Sequence, residues 1–142
     1  MYRQLERIKF NADIIQYISI FESLTGAKAK DCIVNDDRIL FIVHENEMGR
    51  AIGKHGSNIK RIEGMLNKNI KLAEFSNNLA QFIQNLMYPL TAKEIKEEEG
   101  IVSIYCPDTK TKGMLIGRDR HNINSISDVV KRYFNITEIK VV

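Results

Sequence analysis

No segment of the 142-residue sequence approaches the roughly 18 consecutive apolar residues that a membrane-spanning helix needs. The first residues, Met1-Tyr2-Arg3-Gln4-Leu5-Glu6-Arg7, are charged and lack the apolar core of a secretion signal. Cysteine is nearly absent. Cys32 and Cys106 stand 74 positions apart, with no CxxC pair and no histidine at ligand spacing, so a disulfide scaffold and a zinc cluster are both disfavoured. His44, Glu45, Glu47 and His55 crowd together, but without the HExxH spacing that puts two ligands on one helix face. No nucleophile, base and oxyanion-donor set is visible. The expectation is a cytoplasmic binding protein, not an enzyme, with no membrane association, no catalytic residues, no metal and no cofactor.

What is present is basic charge in particular places. The net charge is only +3, yet Arg50 to Lys71 holds Arg50, Lys54, Lys60, Arg61, Lys68 and Lys71 against Glu63 alone, a local +5. Lys110 to Arg132 carries a local +4, and Glu94 to Glu99 a local −3. A charge run is often just a solvated face. Two basic stretches that each surround glycines point instead to a polyanion.

The two stretches are copies. Gly49 to Ile62 (GRAIGKHGSNIKRI) aligns with Gly113 to Ile126 (GMLIGRDRHNINSI) at a constant offset of 64, with six of fourteen positions identical. The identities are Gly49/Gly113, Ile52/Ile116, Gly53/Gly117, Asn58/Asn122, Ile59/Ile123 and Ile62/Ile126. The flanks repeat as well, so the chain is an internal duplication.

Periodicity gives each half the same order. In the first, Ile14, Tyr17, Ile18, Phe21 and Leu24 form a helical stripe, capped at Asn11 or Asp13 and ended at Gly26. Strands follow at Cys32–Val34 and Ile39–Val43, joined by a turn at Asn35-Asp36-Asp37. A short helix over 47–52, a glycine loop, a helix over 57–66 and a strand over 70–75 complete the half. In the second, the pattern predicts a helix over 78–87 ended by Pro89. Strands are predicted over 92–97 and 101–105, helices over 112–116 and 125–134, and a strand over 137–142. Met48, Met65 and Met114 read as core fillers, as does Phe134. Only Ser76-Asn77 join the halves, so the expectation is two small domains, 1–76 and 77–142, packed rigidly together.

A bare GxxG arises by chance about 0.7 times in a chain of this length at ordinary glycine usage. Here it stands between two predicted helices as Ile52-Gly53-Lys54-His55-Gly56-Ser57-Asn58-Ile59. Glycines there permit a tight turn and close approach of a phosphodiester, and the following helix start favours negative charge. Lys54 adds a mobile cation, and Ile52 and Ile59 are expected to anchor the loop in the core.

IGxxGxxI within the order αββααβ resembles the type II KH domain. Two in direct tandem are similar to the RNA-binding half of the NusA family of transcription factors, and most similar to its short archaeal members, from about Ala12 to Val142. The resemblance implies an α+β fold, with two tandem type II KH domains in which a three-stranded sheet packs on helices. It implies single-stranded RNA running beside each loop, with roughly four nucleotides clamped per domain. Gly53, Lys54, His55 and Gly56 match the first loop, with Ser57, Lys60 and Arg61 on its helix. Gly117, Arg118, Asp119 and Arg120 occupy the second, followed by His121. There the final glycine is replaced, giving GRDR, and the second site is expected to be weaker while still taking part. Kinship implies a part in transcription termination, antitermination or elongation, with RNA polymerase or other transcription factors as partners, and the chain is expected to be a monomer. Bacterial NusA carries a polymerase-binding domain and an OB-fold before its KH pair, for which this chain has no room. A ribosome-associated or RNA-processing KH protein is the competing reading.

Overall fold

Helix-favouring residues run without glycine or proline up to Gly26, and the backbone follows them: α1 spans Tyr2–Thr25. The computed structural model describes residues 2–35 and 38–142, with side chains from Ala12 onward. The helix thus begins well before the expected cap at Asn11 or Asp13. A residue able to cap does not impose a boundary where Arg3, Gln4, Leu5, Glu6 and Arg7 upstream all favour helix. The Asn11 side chain lies outside the described residues. Gly26 ends the helix as expected, at φ 73°, with its N–H donated to the Glu22 carbonyl at 2.9 Å.

Strands β1 (Ala29–Asn35) and β2 (Arg38–Val43) pair antiparallel, and β3 (Asn69–Glu74) lies parallel to β2, giving the order β1-β2-β3. The expected turn residues Asp36 and Asp37 lie outside the described residues. A parallel pair needs a crossover, which α2 (Met48–Ile52) and α3 (Ser57–Leu66) supply. Alternation sets the inner face: Cys32, Ile39 and Phe41 are fully buried with Ala51 and Ile62 from the helices. Ile14, Tyr17, Ile18 and Leu24 of α1 pack against them, and Phe21 stacks on Phe41 at 4.3 Å between ring centroids. Burying a side chain of this size is worth roughly 1.5–3 kcal/mol.

The same order recurs in α4 (Leu79–Met87), β4 (Glu94–Glu98), β5 (Ile101–Tyr105), α5 (Thr109–Ile116), α6 (His121–Lys131) and β6 (Glu138–Val141). β4 and β5 are antiparallel, β5 and β6 parallel. Phe82, Val102, Ile104, Leu115, Ile123 and Val130 are buried there. The chain divides into two compact units, Met1–Phe75 and Ser76–Val142. No helix among the described residues is long and apolar enough to cross a membrane.

Several boundaries differ from expectation. α5 begins at Thr109 because the Asp108 side chain caps it, accepting from the Thr111 N–H at 2.6 Å. That hydrogen bond holds the Asp108 carboxyl below its usual pKa. α6 starts at His121, straight from the loop, and stops at Lys131; Tyr133 and Phe134 leave the helix, each ring 5.9 Å from Phe82. Met65 and Met114 are not core fillers, being 60% and 54% exposed.

On the sheet, Lys71 pairs in register with Leu40, and its pKa falls to about 8, first through burial and then through the Arg38 charge. The folded pKa lies below the unfolded one, so folding disfavours the charged form. This penalty is complete below pH 8, fades as pH rises from 8 towards 10.5, and is gone above. Lys71→Met is expected to be more stable than the parent to urea at pH 7, with an advantage that shrinks by pH 10. A pH-independent difference between the two urea curves would contradict this.

Candidate nucleic-acid interface

Each helix pair of the crossover meets at a loop, and there the backbone leaves ordinary conformations. Gly53 ends α2 at φ 74°, ψ 171°, the 3-10 turn Lys54–Gly56 carries His55 at φ 56°, ψ 29°, and Gly56 follows at φ 74°, ψ 16°. Replacing Gly53 is costly for two reasons. Its conformation is essentially glycine-only, and a Cβ there would lie 2.7 Å from Cγ of Asn58. Gly56 is left-handed too, but a Cβ on it meets nothing nearer than Ile59 Cγ2 at 3.8 Å. The core anchor at the end of α2 is Ala51, fully buried; Ile52, expected to fill that role, is 39% exposed.

The second loop reproduces this shape without the last glycine. Gly117 sits at φ 74°, ψ 174°, Asp119 at φ 53°, ψ 31°, and Arg120 at φ 61°, ψ 18°. Arg120 therefore adopts the left-handed conformation that Gly56 occupies, which costs an ordinary residue roughly 1–2 kcal/mol. A Cβ on Gly117 would lie 2.8 Å from Cβ of Asn122, and Leu115 is the buried anchor. The departure from GxxG is chemical and leaves the backbone unchanged.

Both loops run directly into helices that start without a capping side chain, the first amide of each, Ser57 and His121, donating back to the Lys54 and Arg118 carbonyls of the turn. α4 and α5 have side-chain caps in Asn78 and Asp108, whereas no side chain caps α3 or α6. Their first-turn N–H groups and the positive end of the helix favour an anion. Lys54, His55, Arg118, Asp119, Arg120 and His121 are all exposed, and Gly53, Gly56 and Gly117 partly so. Lys54, Lys60, Arg61, Arg118 and Arg120 make no ion pair among the described residues. Ser57, Lys60 and Arg61, three and four residues apart, extend the first loop along one exposed face of α3. The equivalent positions on α6 are His121, Asn124 and Ser125, so the second loop has no such basic extension. His44 and His55 join no metal-holding group among the described residues.

Asn58 and Asn122, identical in the two copies, escaped notice as site residues because an asparagine carries no charge to mark it. The Asn58 Nδ2 group donates to the Arg50 carbonyl at 2.7 Å, and Asn122 Nδ2 to the Leu115 and Met114 carbonyls at 3.0 and 3.3 Å. The two glycines of the first loop should respond differently to a methyl group. Gly53→Ala is expected to destabilise by more than about 2 kcal/mol, and Gly56→Ala by about 1 kcal/mol. Arg120→Gly is expected to gain less than about 1 kcal/mol, the relieved strain being partly offset by unfolded-chain entropy. Urea midpoints give all three; equal losses at Gly53 and Gly56 would refute the packing argument.

Residues 15–77 match the family model described as a KH domain. Over 139 residues the chain is 35% identical to the "Probable transcription termination protein NusA" of Methanococcus vannielii, covering 96% of this chain and 80% of that one. It is 32% identical over 137 residues to the protein of the same name from Halococcus morrhuae, covering 95% and 99%. The crystal structure of APE1850 superposes with a TM-score of 0.73 at 32% identity, covering 92% of this chain and 99% of that one. With this similarity along nearly its whole length, the chain belongs to the archaeal NusA-like family of KH-domain proteins.

Proposed function

We propose that the chain is a NusA-like transcription factor that binds single-stranded RNA through two tandem KH domains, the compact units Met1–Phe75 and Ser76–Val142. The observation that carries this reading is the repeated loop: two helix starts without side-chain caps, entered through the same left-handed turn. Such a turn brings backbone N–H groups to a phosphodiester, as KH loops do when they clamp about four nucleotides. The relatives named for transcription termination support a transcript as the RNA in question.

The first domain contributes more to binding. Gly53, Lys54, His55 and Gly56 receive phosphate, and Ser57, Lys60 and Arg61 continue the track along α3. The second offers the same backbone with Gly117, Arg118, Asp119, Arg120 and His121. Its arginines partly compensate for the missing glycine and for the Asp119 charge.

Affinity is expected to fall with salt. For about four neutralised phosphates the log–log slope is near −3, from roughly −0.7 per single-strand contact. Blunt duplex RNA should bind much more weakly, and equal affinity for it would contradict the reading. Converting Lys54 and His55 together to Asp places negative charge in the cradle while keeping both glycines, and should cut affinity at least roughly tenfold. Arg118→Asp with Arg120→Asp should cost less. Titration of a labelled single-stranded oligonucleotide of about eight to ten bases, enough for two four-nucleotide clamps, compares the variants at fixed salt. If the folded first-loop variant binds as tightly as the parent, the RNA site lies elsewhere.

A further inference from the structure

We infer that Asn58 and Asn122 are positioning residues for the phosphate cradle, holding each loop in its binding shape without touching the ligand; this rests on the RNA-binding reading above. The loop has little else to fix it. Its own backbone bonds are Gly53 N–H to the Gly49 carbonyl at 3.0 Å, Gly56 N–H to the Gly53 carbonyl at 3.1 Å, and Ser57 N–H to the Lys54 carbonyl. The five-residue α2 is too short to be stable by itself, and the carbonyls of its last turn need donors. Asn58 reaches back eight residues to supply one, to Arg50 at 2.7 Å. A carbonyl only accepts, so the amide nitrogen has to face it.

The same side chain fills the space beneath Gly53, where a Cβ would come within 2.7–2.9 Å of Asn58 Cγ, Nδ2 and Cβ. Glycine and asparagine therefore fit as a pair, and the pair fixes how α2 meets the start of α3. Alanine would leave the carbonyl without its donor. Aspartate keeps the shape but sets a carboxylate against a carbonyl at the negative end of α2.

The arrangement occurs twice. Asn122 packs beneath Gly117 and donates to the corresponding helix end at Leu115 and Met114. The neighbours differ, Arg50 and Ala51 in one copy and Met114 and Leu115 in the other, so the recurrence follows from the loop geometry. The second loop holds its left-handed turn with Arg120 in place of glycine, which places the control of loop shape at the Gly117–Asn122 pair. Asn58 and Asn122 are only partly buried, so a role confined to general stability is the less fitting one.

The test uses the full chain with Asn58→Ala and Asn58→Asp. Three quantities are read: the urea midpoint, amide hydrogen exchange over residues 52–57, and titration with the single-stranded oligonucleotide at fixed salt. The expected result is a midpoint lowered by no more than the one lost hydrogen bond, faster exchange concentrated in the loop, and affinity lower by roughly tenfold. Asn58→Asp should lose more than Asn58→Ala. Parent-like affinity, or unchanged loop exchange, in both variants overturns the inference. So does a general loss of folded structure in both, which would make the asparagine a stability residue. If the parent itself binds no RNA, the functional reading fails, while loop exchange still decides whether Asn58 orders the loop.

Discussion

At φ 74° and ψ 171°, Gly53 turns the chain so sharply that Asn58, in the first turn of α3, lies where a Cβ would stand. This contact sits at the corner of an obligatory path. β2 and β3 are parallel, so the chain has to return to the same end of the sheet before pairing again. Two helices make the return, and their burial through Ala51 and Ile62 fixes where the corner falls. The turn is then free to be strained, because helices packed on both sides over-determine it. The uncapped start of α3 is thus a by-product of a crossover closed by packing and not by a capping side chain.

The second unit shows which parts of this design belong to shape and which to charge. Its loop follows the same backbone path, with Leu115 and Ile126 buried where the first unit has Ala51 and Ile62. The charge has changed along that path. Lys60 and Arg61 give way to Asn124 and Ser125, and Asp119 stands at the position of His55. The sheets diverge too: Glu94, Glu97 and Glu98 make β4 an exposed acidic edge strand, unlike β1 with its buried Cys32. Exposed charges are screened within about 10 Å in ordinary salt, whereas the direction of a backbone N–H is not. The two loops therefore share a shape and differ in charge.

Much of this was legible from residue order. The duplication, the order of elements and the glycine loop follow from apolar periodicity and from Gly53, Gly56 and Gly117, since few other residues allow such turns. α3 and β5 begin and end at the residues where the sequence pattern does. The failures share a cause, in that local signals compete with packing. Asn11 and Asp13 could cap a helix, yet the chain upstream is helical. Ile52 is apolar, yet the end of α2 turns Ala51 inward and leaves Ile52 partly exposed. Met65 and Met114 stand on the outer faces of their helices. Tyr133 was placed in α6, but its ring meets Phe82 from the segment beyond the helix. Asn58 and Asn122 were visible as identities in the repeat, but their task needs the carbonyl eight residues back in three dimensions.

At Arg120 the shape and the charge of the second loop meet. A long charged side chain in a left-handed conformation is an unfavourable local choice, costing roughly 1–2 kcal/mol. It forms no ion pair among the described residues, and from the N-cap position of α6 its side chain makes no capping hydrogen bond. A strained residue persists where its surroundings hold it. Here the Gly117–Asn122 pair on one side and the start of α6 on the other do so. Glycine at that position would relieve the strain and remove the charge. The arginine keeps the charge beside the uncapped start of α6, opposing the carboxylate of Asp119 next to it. A loop maintained only to turn the chain would need neither feature, whereas one that meets a polyanion uses both.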